Sequence, residues 1–109
     1  ITDYLVMDHR VHTSVVFVSR TTGTPDFEAF RAGDAELTPD EVSEEAIQRS
    51  RMVHASTFAL SRQPCRDAVM RAFELAQRHG KARALTIGAA ATRHTGGLAG
   101  FVGSSRKAG

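Results

Sequence analysis

Between Met52 and Ile87 the sequence runs through a short β-forming stretch, a helical stripe and a second β-forming stretch, and this order constrains the fold more than any other feature. Val69, Ala72, Phe73 and Ala76 fall at i, i+3, i+4 and i+7, the spacing that lines one face of an α-helix. Ser61 or Gln63, with Pro64, opens this predicted helix, and Gly80 is placed to close it as the glycine just past its last turn. Met52-Val53-His54-Ala55 reads as a short buried strand before the helix, and Ala84-Leu85-Thr86-Ile87 as a strand after it. Strands joined through a helix pair in parallel by a right-handed crossover, so the segment predicts a βαβ unit and an α/β fold class.

Upstream, Thr38-Pro39-Asp40-Glu41 is a helix start: Thr38 accepts from exposed N–H groups, Pro39 suits the first helical position, and Glu41 closes a capping box. This helix, interrupted and restarted at Ser43, carries Val42, Ala46 and Ile47 inward. It ends near Arg49 to Arg51, where cations suit the negative end of the helix dipole. Val11 to Val18 is β-branched and aromatic and reads as a strand apolar on both faces. A turn cluster, Thr21 to Pro25, separates it from Phe27 and Phe30, so the two runs predict a β-hairpin. Tyr4-Leu5-Val6-Met7 is a further, shorter strand candidate.

The 109 residues, 41% apolar and 24% charged, suit one modest core and exclude collagen-like or wholly disordered chains. No apolar run is long enough to span a membrane, and Ile1-Thr2-Asp3-Tyr4 has no signal-peptide character, so a cytoplasmic protein is expected. The single cysteine, Cys65, agrees with a reducing compartment. Charge is uneven. Residues up to Glu74 hold all twelve acids and eight of the fourteen basic residues, a net −4, whereas the rest carries +6 and no acid. Six of the nine glycines lie in the last 22 residues, where neither alternation nor a helical stripe persists, and little fixed structure is expected there. Those basic residues are thinly spread and have Phe101 alone as a stacking partner, so neither nucleic acid nor a membrane is expected as a partner.

The five histidines show no HExxH motif, no i, i+4 pair and no Cys/His cluster, so no metal site is expected. His54, in an apolar run, reads as a hydrogen-bonded core residue. Cys65 lies at a helix start, where the dipole could lower its pKa, but no base is near in sequence, and a structural role is favoured. Gly96-Gly97-Leu98-Ala99-Gly100 resembles a phosphate cradle yet lacks the lysine, the hydroxyl and the acidic residue that would complete one. Arg31 is different, because it follows a strand and immediately precedes Gly33-Asp34. Two readings stand: a guanidinium that binds a hydroxyl-rich or anionic ligand through parallel hydrogen bonds, or a surface arginine paired with Asp34 or Glu36.

His12 to Ser19 (HTSVVFVS), Phe27 to Val42 (FEAFRAGDAELTPDEV), Arg51 to Thr57 (RMVHAST) and Leu60 to Lys81 (LSRQPCRDAVMRAFELAQRHGK) together resemble consecutive segments of PfkB/ribokinase-family carbohydrate kinases, in the fructokinase and 2-keto-3-deoxygluconate kinase branch. The resemblance covers about residues 2–81. It implies a partial ribokinase-like fold: lid strands in 1–37, a βαβ segment of a Rossmann-like core in 38–88, and a flexible Gly/Ala-rich basic tail in 89–109. It also implies phosphoryl transfer from ATP, with Mg²⁺, to a hydroxyl of a sugar or sugar acid. Relatives acting on keto-deoxy sugar acids place an arginine at the end of the second lid strand as a substrate contact, and Arg31 matches that position. The proline, threonine and glycine that usually open the first lid strand are His12, Thr13 and Ser14 here, and two aromatic positions near the sugar are Val16 and Ala29.

The family's paired-glycine motif would precede Ile1. Its D-T-x-G-A-G-D signature, which supplies an anion hole and the aspartate base, has no counterpart, since nothing after Glu74 is acidic. The chain by itself is therefore expected to be inactive and to need neither ATP nor Mg²⁺. Residues from about Ala82 read as non-family sequence, as an altered reading frame of a GC-rich gene would produce. A different class of function is a non-catalytic module in which the hairpin mediates homodimerisation, because an open sheet edge invites pairing.

Overall fold

A computed structural model describes residues 2–20, 23 and 27–87. Two small sheets and two helices make a small α/β unit. Strands β1 (Val15–Val18) and β2 (Phe27–Phe30) form an antiparallel hairpin, and after a 3₁₀ turn at Gly33–Ala35 the chain enters helix α1 (Glu44–Arg49), strand β3 (Met52–Ser56), helix α2 (Cys65–Arg78) and strand β4 (Ala82–Thr86). Strands β3 and β4 pair in parallel from Met52 opposite Ala82 to Ser56 opposite Thr86, so the βαβ reading holds. Residues 82–86 therefore fold onto the same unit as the residues before them.

Helix α2 packs along the sheet. Cys65, Val69 and Phe73 join Leu60 in one buried cluster against Val53, Ala55 and Leu85, while Leu75 and Ala76 join Ile47 in a second, with Val42 and Ala72 at its edge. The predicted stripe is thus the inward face, and Leu75 widens it. Gln63 and Asp67 tether the start of α2: the Gln63 amide donates to Asp67 Oδ1 at 2.9 Å and its oxygen accepts from the Asp67 N–H at 3.4 Å. At the other end Lys81 N–H donates to Ala76 C=O (2.7 Å) and Gly80 N–H to Gln77 C=O (3.1 Å), the paired bonds of a Schellman closure, with Gly80 at φ +65°. A Cβ there would meet open space, so Gly80→Ala is expected to cost about 1 kcal/mol through backbone conformation alone. Urea unfolding measures this, and an unchanged midpoint would contradict it.

The Thr38 start is also formed, in a shorter version than the sequence suggests. Pro39–Glu41 is a single 3₁₀ turn in which the Glu41 carboxylate accepts from the Thr38 N–H at 2.9 Å, and the helix restarts at Ser43, whose hydroxyl accepts from the Ala46 N–H. Ser61 does not cap α2 but lies in a separate 3₁₀ turn, Ala59–Ser61.

Three expectations need correction. The first strand covers only Val15–Val18, because residues 11–14 turn their polar groups to the segment after β2. Tyr4–Met7 is not a strand: no neighbouring ladder satisfies its backbone, and Tyr4 instead reaches α1, its hydroxyl 3.4 Å from Glu45 Oε1 and 3.2 Å from Arg49 Nη1. His54 is hydrogen-bonded, with Nε2 2.6 Å from Thr86 Oγ1, but it is exposed, since strand alternation turns Val53 and Ala55 toward α2 and His54 away. The Gly96 to Gly100 cradle and the basic tail lie outside the described residues, as does His94. Among the described residues no helix is long and apolar enough to cross a membrane.

Candidate functional site

Arg31 is the hub of the junction between hairpin and core. Leaving β2, it folds back so that only 6% of its side chain is exposed. Its Nε donates to Asp34 Oδ2 at 2.7 Å, its Nη1 to Ser61 Oγ, and its guanidinium carbon lies 4.0 Å from the centroid of the Phe58 ring. Ser61 in turn donates to the Phe58 carbonyl at 2.6 Å. Of the two partners the sequence offered, Asp34 and Glu36, it is Asp34 that pairs, with the guanidinium enclosed and the carboxylate 30% exposed.

Asp34 ties the two ends of the hairpin together. Its Oδ1 accepts from the Ser14 hydroxyl and, at 3.2 Å, from the Ala32 N–H. The Ser14 oxygen accepts from the N–H groups of Ala32 (2.8 Å) and Asp34 (3.2 Å), and Gly33 N–H donates to the His12 carbonyl at 2.9 Å. A Cβ on Gly33 would stand 3.2 Å from that carbonyl, which accounts for glycine at this close approach. Burial works to raise the pKa of Asp34, yet the Ser14 hydroxyl and the Arg31 guanidinium outweigh it and hold the carboxyl below its ordinary range.

Beside this junction opens a cavity of about 330 Å³, walled by Met7, Asp8, His12, Thr13, Ser14 and Asp34 among others. Val6, Met7 and Val11 make much of its wall apolar, it is open to solvent on one side, and Asp8, His12, Thr13, Ser14 and Asp34 supply the groups that can hydrogen-bond a ligand. Asp8 is held at a pKa of about 2, chiefly by its side-chain hydrogen bond with Arg10. That ion pair (Nη2 to Oδ2, 2.7 Å) cancels the charge of Arg10.

Val16 and Ala29, the positions matched to aromatic ones near the sugar, are cross-strand partners in the hairpin. Cys65 is buried in the core, and burial pushes its thiol upward in pKa despite its place at the start of α2. This supports the structural role. Among the described residues no three His, Cys, Asp or Glu side chains gather as a metal site. Sequence reasoning missed Phe58, Ser61 and Asp8 as neighbours of the site. Only Ser14 had a signal, as the residue where the resemblance places a glycine.

No family model matches the chain. Among curated proteins, it is 35% identical to fructokinase-1 of Zea mays over 79 residues, which is 70% of this chain and 24% of that protein. It is 32% identical to the fructokinase of Solanum tuberosum over 81 residues, 72% of this chain and 25% of the other. A 5-dehydro-2-deoxygluconokinase of Halalkalibacterium halodurans is 46% identical over 46 residues, 42% of this chain and 14% of the relative. The chain thus spans about a quarter of the length of the fructokinases it matches. These matches bear out the resemblance to PfkB-type sugar kinases read from the sequence.

Proposed function

The chain is a relative of fructokinases and 5-dehydro-2-deoxygluconokinases, and from that kinship we propose that it supplies the sugar-covering hairpin and part of the α/β core of an ATP-dependent sugar kinase with a ribokinase-like fold. Residues 1–37 form the lid and 38–88 the core segment in this reading. The observation that carries it is Arg31, which stands at the end of β2 and is linked through Ser61 and Phe58 to the loop between β3 and α2. A guanidinium at that junction contacts a sugar or sugar acid held under the hairpin, beside the cavity walled by Ser14 and Asp34.

Phosphoryl transfer itself is assigned to no residue here. ATP and Mg²⁺ would supply the transferred group and its charge neutralisation. The stretch spans about a quarter of the fructokinases' length, and no residue in it is assigned to take the hydroxyl proton. The 109-residue chain accordingly binds sugar without turning it over. Calorimetric titration with fructose and with 5-dehydro-2-deoxygluconate tests this. Binding is expected with at least one of the two, weakened about tenfold by Arg31→Lys, which keeps the charge but loses the planar fork. ADP release from ATP is expected to show no dependence on sugar. Failure to bind either sugar overturns the reading, and sugar-dependent ADP release overturns the inactivity.

A second reading has its own observation. Val15, Val16, Phe17 and Val18 are all exposed, as are Phe27 and Phe30, so the hairpin presents apolar side chains on both faces. In this reading the hairpin joins two copies of the chain, whether or not it also covers a sugar.

A further inference from the structure

The Arg31 guanidinium is buried, and two of its nitrogens share a single oxygen: Nη2, inaccessible to solvent, lies 2.6 Å from Asp34 Oδ2, the same atom that accepts from Nε at 2.7 Å. The cause is the way Asp34 is held. One oxygen, Oδ2, faces both Nε and Nη2, while Oδ1 is engaged by the Ser14 hydroxyl and the Ala32 N–H. A carboxylate free to use both oxygens would meet Nε and Nη2 with two parallel bonds, the arrangement guanidinium geometry favours. Asp34 fills the place of such a carboxylate with one oxygen alone.

Position adds to this. Asp34 is part of the cavity wall and Arg31 is not, so a ligand in the cavity meets the carboxylate before the guanidinium. Arg10 points into solvent, 82% exposed and paired with Asp8, and is not part of the cavity wall. A neutral polyol can bond to the wall as it stands, whereas the carboxylate of an acid finds the guanidinium already occupied by Asp34.

We propose that Asp34 is a built-in competitor for Arg31, and that a sugar acid is admitted only when its carboxylate replaces that of Asp34 on the guanidinium. The proposal rests on the reading of Arg31 as a sugar contact and adds to it a residue that sets selectivity between acidic and neutral sugars. Asp34 acts through Arg31 and is a positioning residue, with no part in the chemical step.

Calorimetry of the 109-residue chain and its Asp34→Asn variant, with 5-dehydro-2-deoxygluconate and with fructose, tests it. Asp34→Asn is expected to bind the acid about tenfold or more tightly, while fructose, for which the wall loses a charged acceptor, binds no more tightly than to the wild type. Acid binding that is unchanged or weaker in a folded Asp34→Asn overturns the proposal, while the parent reading survives if Arg31→Lys still weakens binding. No binding of either sugar by any variant overturns both. Should Asp34→Asn fail to fold, the wild-type chain gives the answer through the NMR signal of the Arg31 Nε–H. A shift on saturation with the acid and none with fructose is expected. An unmoved signal under bound acid overturns the exchange.

Discussion

Leu75→Ala is expected to lower the stability of the chain by about 3–5 kcal/mol and its melting temperature with it. Leu75 is 1% exposed and lies where α2 meets Ile47 of α1 and Val53 of β3. Few other residues are as deeply placed: Ala68 and Ala76 are as buried but small, so Leu75 contributes the largest fully enclosed side chain. Its truncation leaves a void that helix, sheet and α1 would have to close together, and close packing allows only part of that relaxation. A domain of this size has a total stability of only about 5–15 kcal/mol, so the loss is a large share of it. Thermal unfolding followed by circular dichroism measures it. Met52→Ala is the comparison, since Met52 is exposed on β3 and its truncation is expected to change stability by less than about 0.5 kcal/mol. Equal costs for the two substitutions would refute this picture of the core.

The parts of the fold legible in the sequence are those whose signals are local. The stripe from Val69 to Ala76, the glycine at position 80 and the β-branched runs on either side each act within a turn or two of the chain, and each element formed near where it was expected. Tyr4–Met7 failed for the opposite reason, because a strand needs a partner and nothing in its own sequence says whether one is present. Residues 11–14 carry β-forming composition, but Ser14 has bonds to make at residue 32 and residue 34 that no pattern reveals. The same holds at the site. Arg31 and Asp34 were recognisable as a pair three residues apart. That the pair would be enclosed depends on Phe58 and Ser61, which arrive from a loop some thirty residues away. Residue type pointed to Ser61 or Gln63 at the start of α2; Gln63 is found there, whereas the Ser61 hydroxyl donates to the Phe58 carbonyl and faces Arg31.

Phe17→Asp is expected to weaken self-association of the chain by about a hundredfold or more. A two-stranded hairpin is marginal in water on its own, and this one exposes apolar side chains from both strands. Phe17 (62% exposed) and Phe30 (58%) meet edge to face with centroids 5.7 Å apart, forming an aromatic ridge. If that ridge lies in a two-fold interface, each Phe17 occurs twice, and burying a phenyl side chain contributes about 1.5–3 kcal/mol per copy. The substitution removes both contributions and adds the desolvation of two carboxylates, which together account for a loss of about a hundredfold or more. Sedimentation equilibrium over a range of concentrations measures it, and the melting temperature is expected to lose its dependence on concentration while the core, to whose buried clusters Phe17 does not belong, stays intact. A wild-type chain that stays monomeric, or a variant that dimerises as well as the wild type, would remove the hairpin from the interface. The proposed covering of a sugar by the hairpin does not depend on that outcome.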